Sequence, residues 1–468
     1  MGNNKEKKEK VQMHMFVMLS LVVIVAAILT YIIPAGLYDR VVDATTGRNI
    51  VDAASYHTID STPVTFVQLI SSIEAGFEEV AGIIAFTLIS GGAFAIITKA
   101  GLIKAFIQFV SKKFANKGAA ALVVLFFCFS FIDTCIGTPE LVVVYVPIVL
   151  PLVIGLGYDT LTALGVVISG SCAGFTAGVL NPYTTVIAQK LTGLPLFSAS
   201  AFRIALFFVF NIIACIYIVL HAQKVKAHPE TSITYEIDQM HRASIVVEED
   251  IVLTGRQKIA AVWSIGTFAV MVYGIMSWGW DLPEMSGMLI LLGIGAAVIA
   301  GLNINIACEE FARGASEVFS AAFMIAIARA IAVVMSEGQI LDTVVHAAAN
   351  VVGGLPPVLL AIGIFILATL LNFFIPSGSG EATVVIPILS PLAQIVGINQ
   401  QTMILAFQFG DGFSNTIFPT NGSYLAGIQM TGVPFTKWLR YQFPLYCLWF
   451  VAGCGALLIA QLVNLGPF

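Results

Sequence analysis

Long apolar runs separated by short polar segments make up most of the chain. Runs of about twenty apolar residues predict helices that cross a bilayer. We predict about nine such transmembrane helices, beginning with one over residues 11–33 and a second over residues 80–98. The pattern therefore predicts an all-α polytopic membrane protein.

Two apolar runs in the second half are interrupted by polar, glycine-rich residues. The first interruption is Ser377-Gly378-Ser379-Gly380-Glu381, and the second is the stretch 409–416. A bilayer offers no water to free N–H and C=O groups, so non-helical backbone is tolerated there only where it lines a cavity or is buried in protein. Two such interruptions close together indicate a binding site near the membrane midplane.

The first half contains similar interruptions. Residues 119–133 supply about fifteen residues, or roughly 22 Å of helix, against a hydrocarbon core of about 30 Å. The polar run Gly137-Thr138-Pro139-Glu140 follows, and a second short apolar arm covers residues 141–154. Two arms too short to cross predict a re-entrant hairpin. A later helix is predicted to break through the glycine-rich run 169–174 and on to Asn181.

An offset of 240 residues aligns the two halves. The pairs it brings together are Pro147 with Pro387, Pro151 with Pro391, Gly157 with Gly397, Gly170 with Gly410, and Asn181 with Asn421. These matches fall at residues that set backbone conformation, which favours a structural duplication. We predict repeat 1 over residues 1–222, with a hairpin at 119–155 and a broken helix at 160–182. Residues 223–283 form a cytoplasmic linker and connecting helix, and repeat 2 covers 284–468, with a hairpin at 356–396 and a broken helix at 399–421.

Lysine counts predict the orientation of the two repeats. Segment 99–118 carries five lysines, whereas its counterpart, 337–354, carries none. Cytoplasmic loops are enriched in Lys and Arg, so the two segments are expected on opposite sides of the membrane. The repeats are therefore predicted to be inverted, with a cytoplasmic N-terminus. The hydrophilic stretch 221–258 is expected to be a solvated connector.

Composition agrees with this class. The chain is 58% hydrophobic and 10% charged, with a mean hydropathy of +0.94, whereas soluble domains carry about 25% charged residues. The net charge of −5 is dispersed among loops, so the expected partners are the lipid bilayer and a small-molecule substrate rather than nucleic acid. The seven cysteines show no metal-ligand spacing and are expected to be packing thiols.

The interruptions carry side chains suited to a solute and an ion. Helix N-termini present free N–H groups that suit a carboxylate, and unwound carbonyls with hydroxyl or amide groups suit a sodium ion. The predicted substrate-binding residues are Thr138, Glu140, Asn181, Ser377, Gly378, Ser379, Glu381, Thr420 and Asn421. The predicted coupling-ion residues are Asp411, Ser414, Asn415 and Thr416. No catalytic residue or cofactor is expected beyond Na⁺ or H⁺ as the coupling ion.

Acids lie in or beside the interruptions, namely Asp133, Glu140, Glu381 and Asp411. A carboxylate inside a membrane is costly unless it is paired, protonated or bound to a cation. Arg329 is the one obvious positive partner in the sequence, and it fits a structural ion pair as well as a substrate contact. The excess of acids favours a site for sodium, protons or the amino groups of a substrate. Asp159 is expected to be a helix cap or a solvated charge.

Glycines in membrane helices often permit close helix packing. We assign that role to Gly91, Gly92, Gly293 and Gly295. For the glycines in the interruptions we favour a break in the helix, because polar residues and acids accompany them.

The sequence resembles the YfcC branch of the DcuC-type carriers, within the wider ion transporter superfamily. The similarity is carried by residues 377–381, 387–399 and 406–414, and it extends over nearly the whole chain. It implies an ion-coupled secondary carrier of the bacterial cytoplasmic membrane, in which hairpins and broken helices move as an elevator-type transport unit against a scaffold. A homodimer is also expected.

The resemblance also bears on the ion site and the substrate. Related superfamily members have a Ser-Asn-Thr signature at sodium and carboxylate sites, which Ser414-Asn415-Thr416 matches, whereas Gly174-Phe175-Thr176 departs from it at the aligned position. Some relatives carry an amide at the position of Glu381. Members are known both as C4-dicarboxylate carriers and as basic amino acid antiporters.

Several functions remain open on the sequence alone. The acids favour an amino acid substrate, with a basic one such as arginine or ornithine first, and the alternative is a C4-dicarboxylate. Symport and antiport both fit. A channel fits less well, because an inverted duplication suits alternating access. An intramembrane enzyme using Ser377 or Ser379 lacks a neighbouring histidine to activate the serine.

Overall fold

A computed structural model of the protein describes residues 15–42, 49–103, 105, 117–244 and 254–466. The described chain is almost entirely helical, which confirms the all-α prediction. Part of the predicted first span and most of the lysine-rich segment 99–118 lie outside the described residues.

The first half contains nine α-helices among its described residues. They are α1 (Met15–Leu29), α2 (Phe66–Glu79), α3 (Ala81–Lys99), α4 (Gly118–Ile136), α5 (Val142–Gly155), α6 (Thr160–Leu164), α7 (Gly170–Ala177), α8 (Thr185–Leu191) and α9 (Ser200–Ala227). Short 3-10 and π-helical turns, Pro139–Leu141 and Gly165–Ser169, precede α5 and α7. Two small antiparallel sheets pair β1 (Gly36–Leu37) with β4 (His57–Thr58), and β2 (Arg40–Val42) with β3 (Asn49–Val51).

The remaining helices follow a 3-10 turn at Pro229–Thr231. They are α10 (Tyr235–Ser244), α11 (Gly255–Trp278), α12 (Leu282–Ala300), α13 (Ile304–Glu317), α14 (Phe319–Glu337), α15 (Leu341–Gly353), α16 (Pro357–Phe374), α17 (Gly378–Val396), α18 (Gln400–Ser414), α19 (Gly422–Met430) and α20 (Phe435–Leu462).

Eight helices of the described chain are long and apolar enough to cross a membrane. They are Ala81–Lys99, Gly118–Cys135, Thr160–Ala177, Ser200–Ala227, Gly255–Ile275, Leu282–Ala300, Phe319–Glu337 and Phe435–Leu462. Ala81–Lys99 coincides with the predicted second span, Thr160–Ala177 overlaps the predicted broken helix at 160–182, and Gly118–Cys135 is the first arm of the predicted hairpin. That arm was predicted to be too short, but α4 has 19 residues. It continues through Asp133 and Thr134 because both side chains are buried in protein.

The predicted helix breaks are displaced along the chain. Helix continues through residues 160–177, and α18 continues through Gly410-Asp411-Gly412, so the predicted breaks at these glycines are wrong. The non-helical segments lie at 178–184 and 415–421 instead. The glycines serve close packing: a Cβ on Gly174 would collide with the carbonyl oxygen of Ser130 in α4, and one on Gly410 would lie 2.7 Å from that of Phe365 in α16.

Packing roles are confirmed for the four glycines to which we assigned them. A Cβ on Gly91 would lie 2.7 Å from the carbonyl oxygen of Gly314, and one on Gly293 would lie 3.2 Å from the Cα of Ala93. Additions at Gly92 and Gly295 would meet the rings of Phe311 and Trp263. These contacts bring α3 close to α12 and α13.

The hydrophilic stretch after α9 is more than a solvated connector. Helix α10 places the buried Asp238 at the start of α6, where its Oδ1 accepts from the Thr160 backbone N–H at 2.8 Å. Asp159, the N-cap of α6, accepts from the Thr162 N–H at 2.9 Å and contacts His221 at 2.9 Å. The prediction of a solvated connector is therefore wrong for α10, whereas the cap role of Asp159 is confirmed.

Candidate functional site

A cavity of about 280 Å³ is lined by residues from both halves of the chain. Eight predicted site residues line it: Glu140, Ser377, Gly378, Ser379, Asp411, Asn415, Thr420 and Asn421. Five other predicted residues, Thr138, Asn181, Glu381, Ser414 and Thr416, are buried near these segments but are not among its lining residues. Glu140 and Asn421, which are 281 positions apart in sequence, therefore line the same cavity only through the tertiary fold.

The first turn of α17 faces the carboxylate of Asp411. Ser377 is the N-cap of this helix, and its hydroxyl accepts from the Gly380 N–H at 3.4 Å. A Cβ on Gly378 would lie 3.2 Å from Asp411 Oδ2 and would collide with Thr184. Glycine at this position therefore lets the positive end of a helix approach a buried carboxylate closely. Of the predicted interruption 377–381, only Ser377 is non-helical, because α17 begins at Gly378.

The segment after α18 is held by Asn372, which the sequence analysis missed. Asn372 Nδ2 lies 2.9 Å from the Asp411 carbonyl oxygen, 2.8 Å from Ser414 Oγ and 2.9 Å from Asn415 Oδ1. Asn421 Nδ2 donates to the same Asn415 Oδ1 at 2.9 Å. One side chain on α16 thus orients the end of α18, and the only sequence signal was an amide inside an apolar run.

Asn421 also starts the next helix. Its Oδ1 accepts from the Tyr424 N–H at 3.0 Å, so it is the N-cap of α19. Gly422 packs against α14, where a Cβ would lie 2.5 Å from Ile325. The N-terminus of α19 therefore opens into the cavity beside α14.

Asn181 shapes the corresponding segment of the first half. Its Oδ1 accepts from the backbone N–H groups of Tyr183 at 3.0 Å and Thr184 at 3.2 Å. A Cβ on Gly137, whose φ is +70°, would lie 2.5 Å from the same oxygen. Asn181 thus joins the tip between α4 and α5 to the segment after α7. Asn181 therefore positions these two segments beside the cavity.

Two fully buried acids have no hydrogen-bond partner for either carboxylate oxygen among the described residues. They are Asp133 on α4 and Glu381 in the first turn of α17. Glu140 belongs to the cavity wall, and Asp411 Oδ2 also has no partner there. Buried unpaired carboxylates are costly, so these positions are suited to holding a proton or a cation.

An ion pair between Glu79 and Arg329 forms another part of the cavity wall. Arg329 therefore forms a structural ion pair, which is one of its two predicted roles, and it also faces the cavity. Glu79, Tyr183, Phe175 and Ser423 are lining residues that the sequence analysis missed. Glu79 ends an amphipathic helix outside the interrupted runs, so no local pattern marked it. Arg203, which is fully buried, is another arginine that the sequence analysis missed.

The match to known proteins decides the family. The family described as C4-dicarboxylate anaerobic carrier, DcuC, matches residues 13–462. The chain belongs to this family. It is 28% identical over 485 residues to the putative basic amino acid antiporter YfcC of Escherichia coli, a match covering 96% of each chain. The chain is therefore a multi-pass membrane transporter of the DcuC/YfcC type rather than an enzyme.

Solved structures of two transporters are also similar to this chain. MtrF of Neisseria gonorrhoeae, described with a class of antimetabolite efflux pumps, is 16% identical with a TM-score of 0.43, covering 98% of this chain and 96% of its own. The YdaH transporter of Alcanivorax borkumensis is 15% identical with a TM-score of 0.44, covering 97% and 100%.

Proposed function

We propose that the chain is an ion-coupled secondary carrier that moves a small amino acid, a basic one such as arginine or ornithine first, across the bacterial cytoplasmic membrane. The observation that carries this proposal is the charge of the cavity wall. Three acids, Glu79, Glu140 and Asp411, face one arginine, Arg329. A solute with more positive than negative groups matches that wall.

The carboxylate of the solute is proposed to bind beside α14. The N-terminus of α17 already faces Asp411, whereas the N-terminus of α19 opens into the cavity at Gly422. Gly422 packs on Ile325, and Arg329 lies one helical turn further along the same face of α14. A carboxylate between Arg329 and this helix end would meet a guanidinium and free N–H groups.

The amino groups would then face the acids. A second carboxylate in that position would lie near Asp411 or Glu140, and two like charges about 4 Å apart at an effective dielectric near 20 repel by about 4 kcal/mol. A bound sodium ion or proton would reduce that repulsion, which is how a C4-dicarboxylate would fit. The YfcC relative is named as a putative basic amino acid antiporter, which favours the amino acid, whereas the family is described as a C4-dicarboxylate carrier, which favours the dicarboxylate.

The coupling ion is proposed to bind between the end of α18 and the segment 415–421. Asp411 supplies a carboxylate oxygen that has no partner among the described residues, and the non-helical segment 415–421 beside it would supply backbone carbonyl groups. This donor set suits Na⁺, and the buried carboxylate also suits H⁺. We further propose that the hairpins move together with the two discontinuous helices, which are those interrupted at 178–184 and at 415–421. This elevator-type unit would move within a homodimer.

Uptake into proteoliposomes tests the substrate. Purified carrier would be reconstituted with ornithine inside, and uptake of labelled arginine would be followed under an imposed Na⁺ or pH gradient. We expect saturable uptake that lysine and ornithine inhibit. Asp411→Asn should abolish it, while Glu230→Gln, on an exposed loop, should leave it unchanged.

Competition separates the two solute classes. Each unlabelled solute would be added in excess, with succinate and fumarate beside lysine and ornithine. Displacement of the bound solute by succinate or fumarate, with no effect of the basic amino acids, would contradict the amino acid proposal. Uptake that does not saturate would contradict a carrier mechanism.

A further inference from the structure

Arg203 is a fully buried guanidinium near the end of a discontinuous helix. Its Nη1 donates to the Ala177 carbonyl oxygen at 3.5 Å and to Thr185 Oγ1 at 3.4 Å. Its Nε and Nη2 have no hydrogen-bond partner, and it forms no ion pair, among the described residues. A buried charge without a carboxylate partner requires another source of stabilisation.

Trp438 makes a comparable contact in the second half, although the offset of 240 residues aligns Arg203 with Phe443. Arg203 is the fourth residue of the 28-residue helix α9, and Trp438 is the fourth residue of the 28-residue helix α20. Trp438 Nε1 donates to the Thr416 carbonyl oxygen at 2.8 Å, just after the end of α18. Both side chains therefore donate to a carbonyl group at the C-terminal end of a discontinuous helix, but only Arg203 carries a charge.

The two helix ends differ in the charges that surround them. The C-terminal end of a helix carries partial negative charge and attracts a cation. In the second half the neutral indole of Trp438 lies at the helix end, and Asp411 places an acid on the helix. The positive charge at this end would therefore come from an exchangeable ion. In the first half Ser171 occupies the position aligned with Asp411, and the guanidinium is fixed at the helix end.

We propose that Arg203 is a tethered cation that takes the place of an exchangeable coupling ion in the first half. The carrier then binds one coupling cation per cycle, in the second half. This inference rests on the proposed function and specifies the stoichiometry of its coupling ion.

Thermal unfolding in detergent tests the tethered charge without requiring transport. The Tm of the native protein, of Arg203→Gln and of Arg203→Lys would be measured at increasing concentrations of Na⁺, with choline replacing Na⁺ at constant ionic strength. The same series would be repeated with guanidinium. Arg203→Gln should acquire a cation-dependent rise in Tm that exceeds that of the native protein by roughly 5 °C at saturation. Arg203→Lys, which keeps the charge, should resemble the native protein. Trp438→Phe removes the N–H donor of the second half and should acquire no new cation dependence.

Two results would overturn the proposal. One is an Arg203→Gln protein whose Tm responds to Na⁺ and guanidinium no more than the native Tm does. The other is a native carrier that moves two coupling cations per solute, as measured from reversal potentials in proteoliposomes. The second measurement decides the question if Arg203→Gln does not fold. Transport without any cation dependence would contradict ion coupling in the proposed function, while the comparison of Tm values would still report on Arg203.

Discussion

Cys172 and Gly412 are in contact: the Cys172 Sγ donates to the Gly412 carbonyl oxygen at 3.3 Å, joining α7 to α18. They are separated by 240 residues, which is the offset between the predicted repeats, so each is the counterpart of the other. When two repeats are related by a two-fold axis, counterparts touch where that axis passes. The contact therefore supports the proposed duplication, and a two-fold axis relating the repeats would pass between α7 and α18.

Helix packing is reciprocal around this contact. Helix α2 packs on α14, and its counterpart α13 packs on α3. Likewise α4 packs on α7 as α16 packs on α18, and α5 packs on α19 as α17 packs on α8. A two-fold relation between the halves converts each of these helix contacts into its counterpart. The paired contacts therefore add support to the proposed repeats.

Cysteine labelling should place two equivalent segments on opposite sides of the membrane. Lys117→Cys and Glu337→Cys would be made in a cysteine-free background, because Cys128, Cys308 and Cys447 are exposed. Both positions are exposed. We expect an impermeant maleimide to label each from a different face of oriented vesicles. Labelling of both from one face would contradict the inverted orientation.

Gly378→Ala should abolish solute binding. The added methyl group would collide with Thr184 and crowd Asp411, so the first turn of α17 would have to move away from the carboxylate. We expect at least a tenfold loss of affinity, corresponding to about 1.4 kcal/mol or more. Gly287→Ala is the matched control, since nothing lies within 4 Å of its added Cβ. Isothermal titration of both variants measures the effect, and unchanged affinity in Gly378→Ala would contradict it.

Asn372→Leu should weaken the binding of the solute and the coupling ion together. It removes three hydrogen bonds that hold the end of α18, and each buried group left unpaired costs about 1–3 kcal/mol. Asn211→Leu is the control, because among the described residues the Asn211 Nδ2 donates to the Phe207 carbonyl oxygen of its own helix. We expect a fall in uptake of roughly a hundredfold for Asn372→Leu. Similar uptake by the two variants would argue against the positioning role.

A charge swap separates the two roles of Arg329. Arg329→Gln should reduce both stability and uptake, whichever role dominates. The double variant Glu79→Arg, Arg329→Glu restores an ion pair with the opposite orientation. We expect Tm to recover while arginine uptake stays at least tenfold below the native rate, because the proposed carboxylate partner has moved. If uptake recovers together with Tm, the Glu79–Arg329 pair has a structural role only.

Asp159→Ala should lower the stability of the carrier by about 2–4 kcal/mol, because it removes the cap of α6 and the carboxylate that pairs with His221. Burial alone raises the pKa of Asp159, but the hydrogen bonds from His221 and Thr162 outweigh it and lower the pKa overall. Stability from a lowered pKa is present above the unfolded value of about 3.9 and is lost as the pH falls through the folded value.

The pH dependence of this effect provides its check. The difference in Tm between the native protein and Asp159→Ala should shrink as the pH is lowered below about 4. Glu230→Ala changes an exposed carboxylate close in sequence and should alter Tm little. A difference that grows in acid would contradict the assigned direction of the pKa shift.

The sequence by itself determined the class of the protein and most of its helices. Hydrophobic runs of membrane length are a local property, because a bilayer forces each backbone group in a span to bond within its own helix. The predicted second span, 80–98, was found at Ala81–Lys99 for this reason. Eight of the thirteen predicted site residues line one cavity, since polar residues inside apolar runs are costly unless they serve a site.

Only the tertiary structure decided where the helices end and which side chains meet. The glycines at 174 and 410 predicted helix breaks, yet they allow neighbouring backbones to approach, and a sequence pattern does not distinguish the two uses. Asn372, Glu79 and Arg203 reach their partners from helices distant in sequence. Their roles depend on which helices pack together, and that packing is set by contacts over the whole chain rather than by any local run of residues.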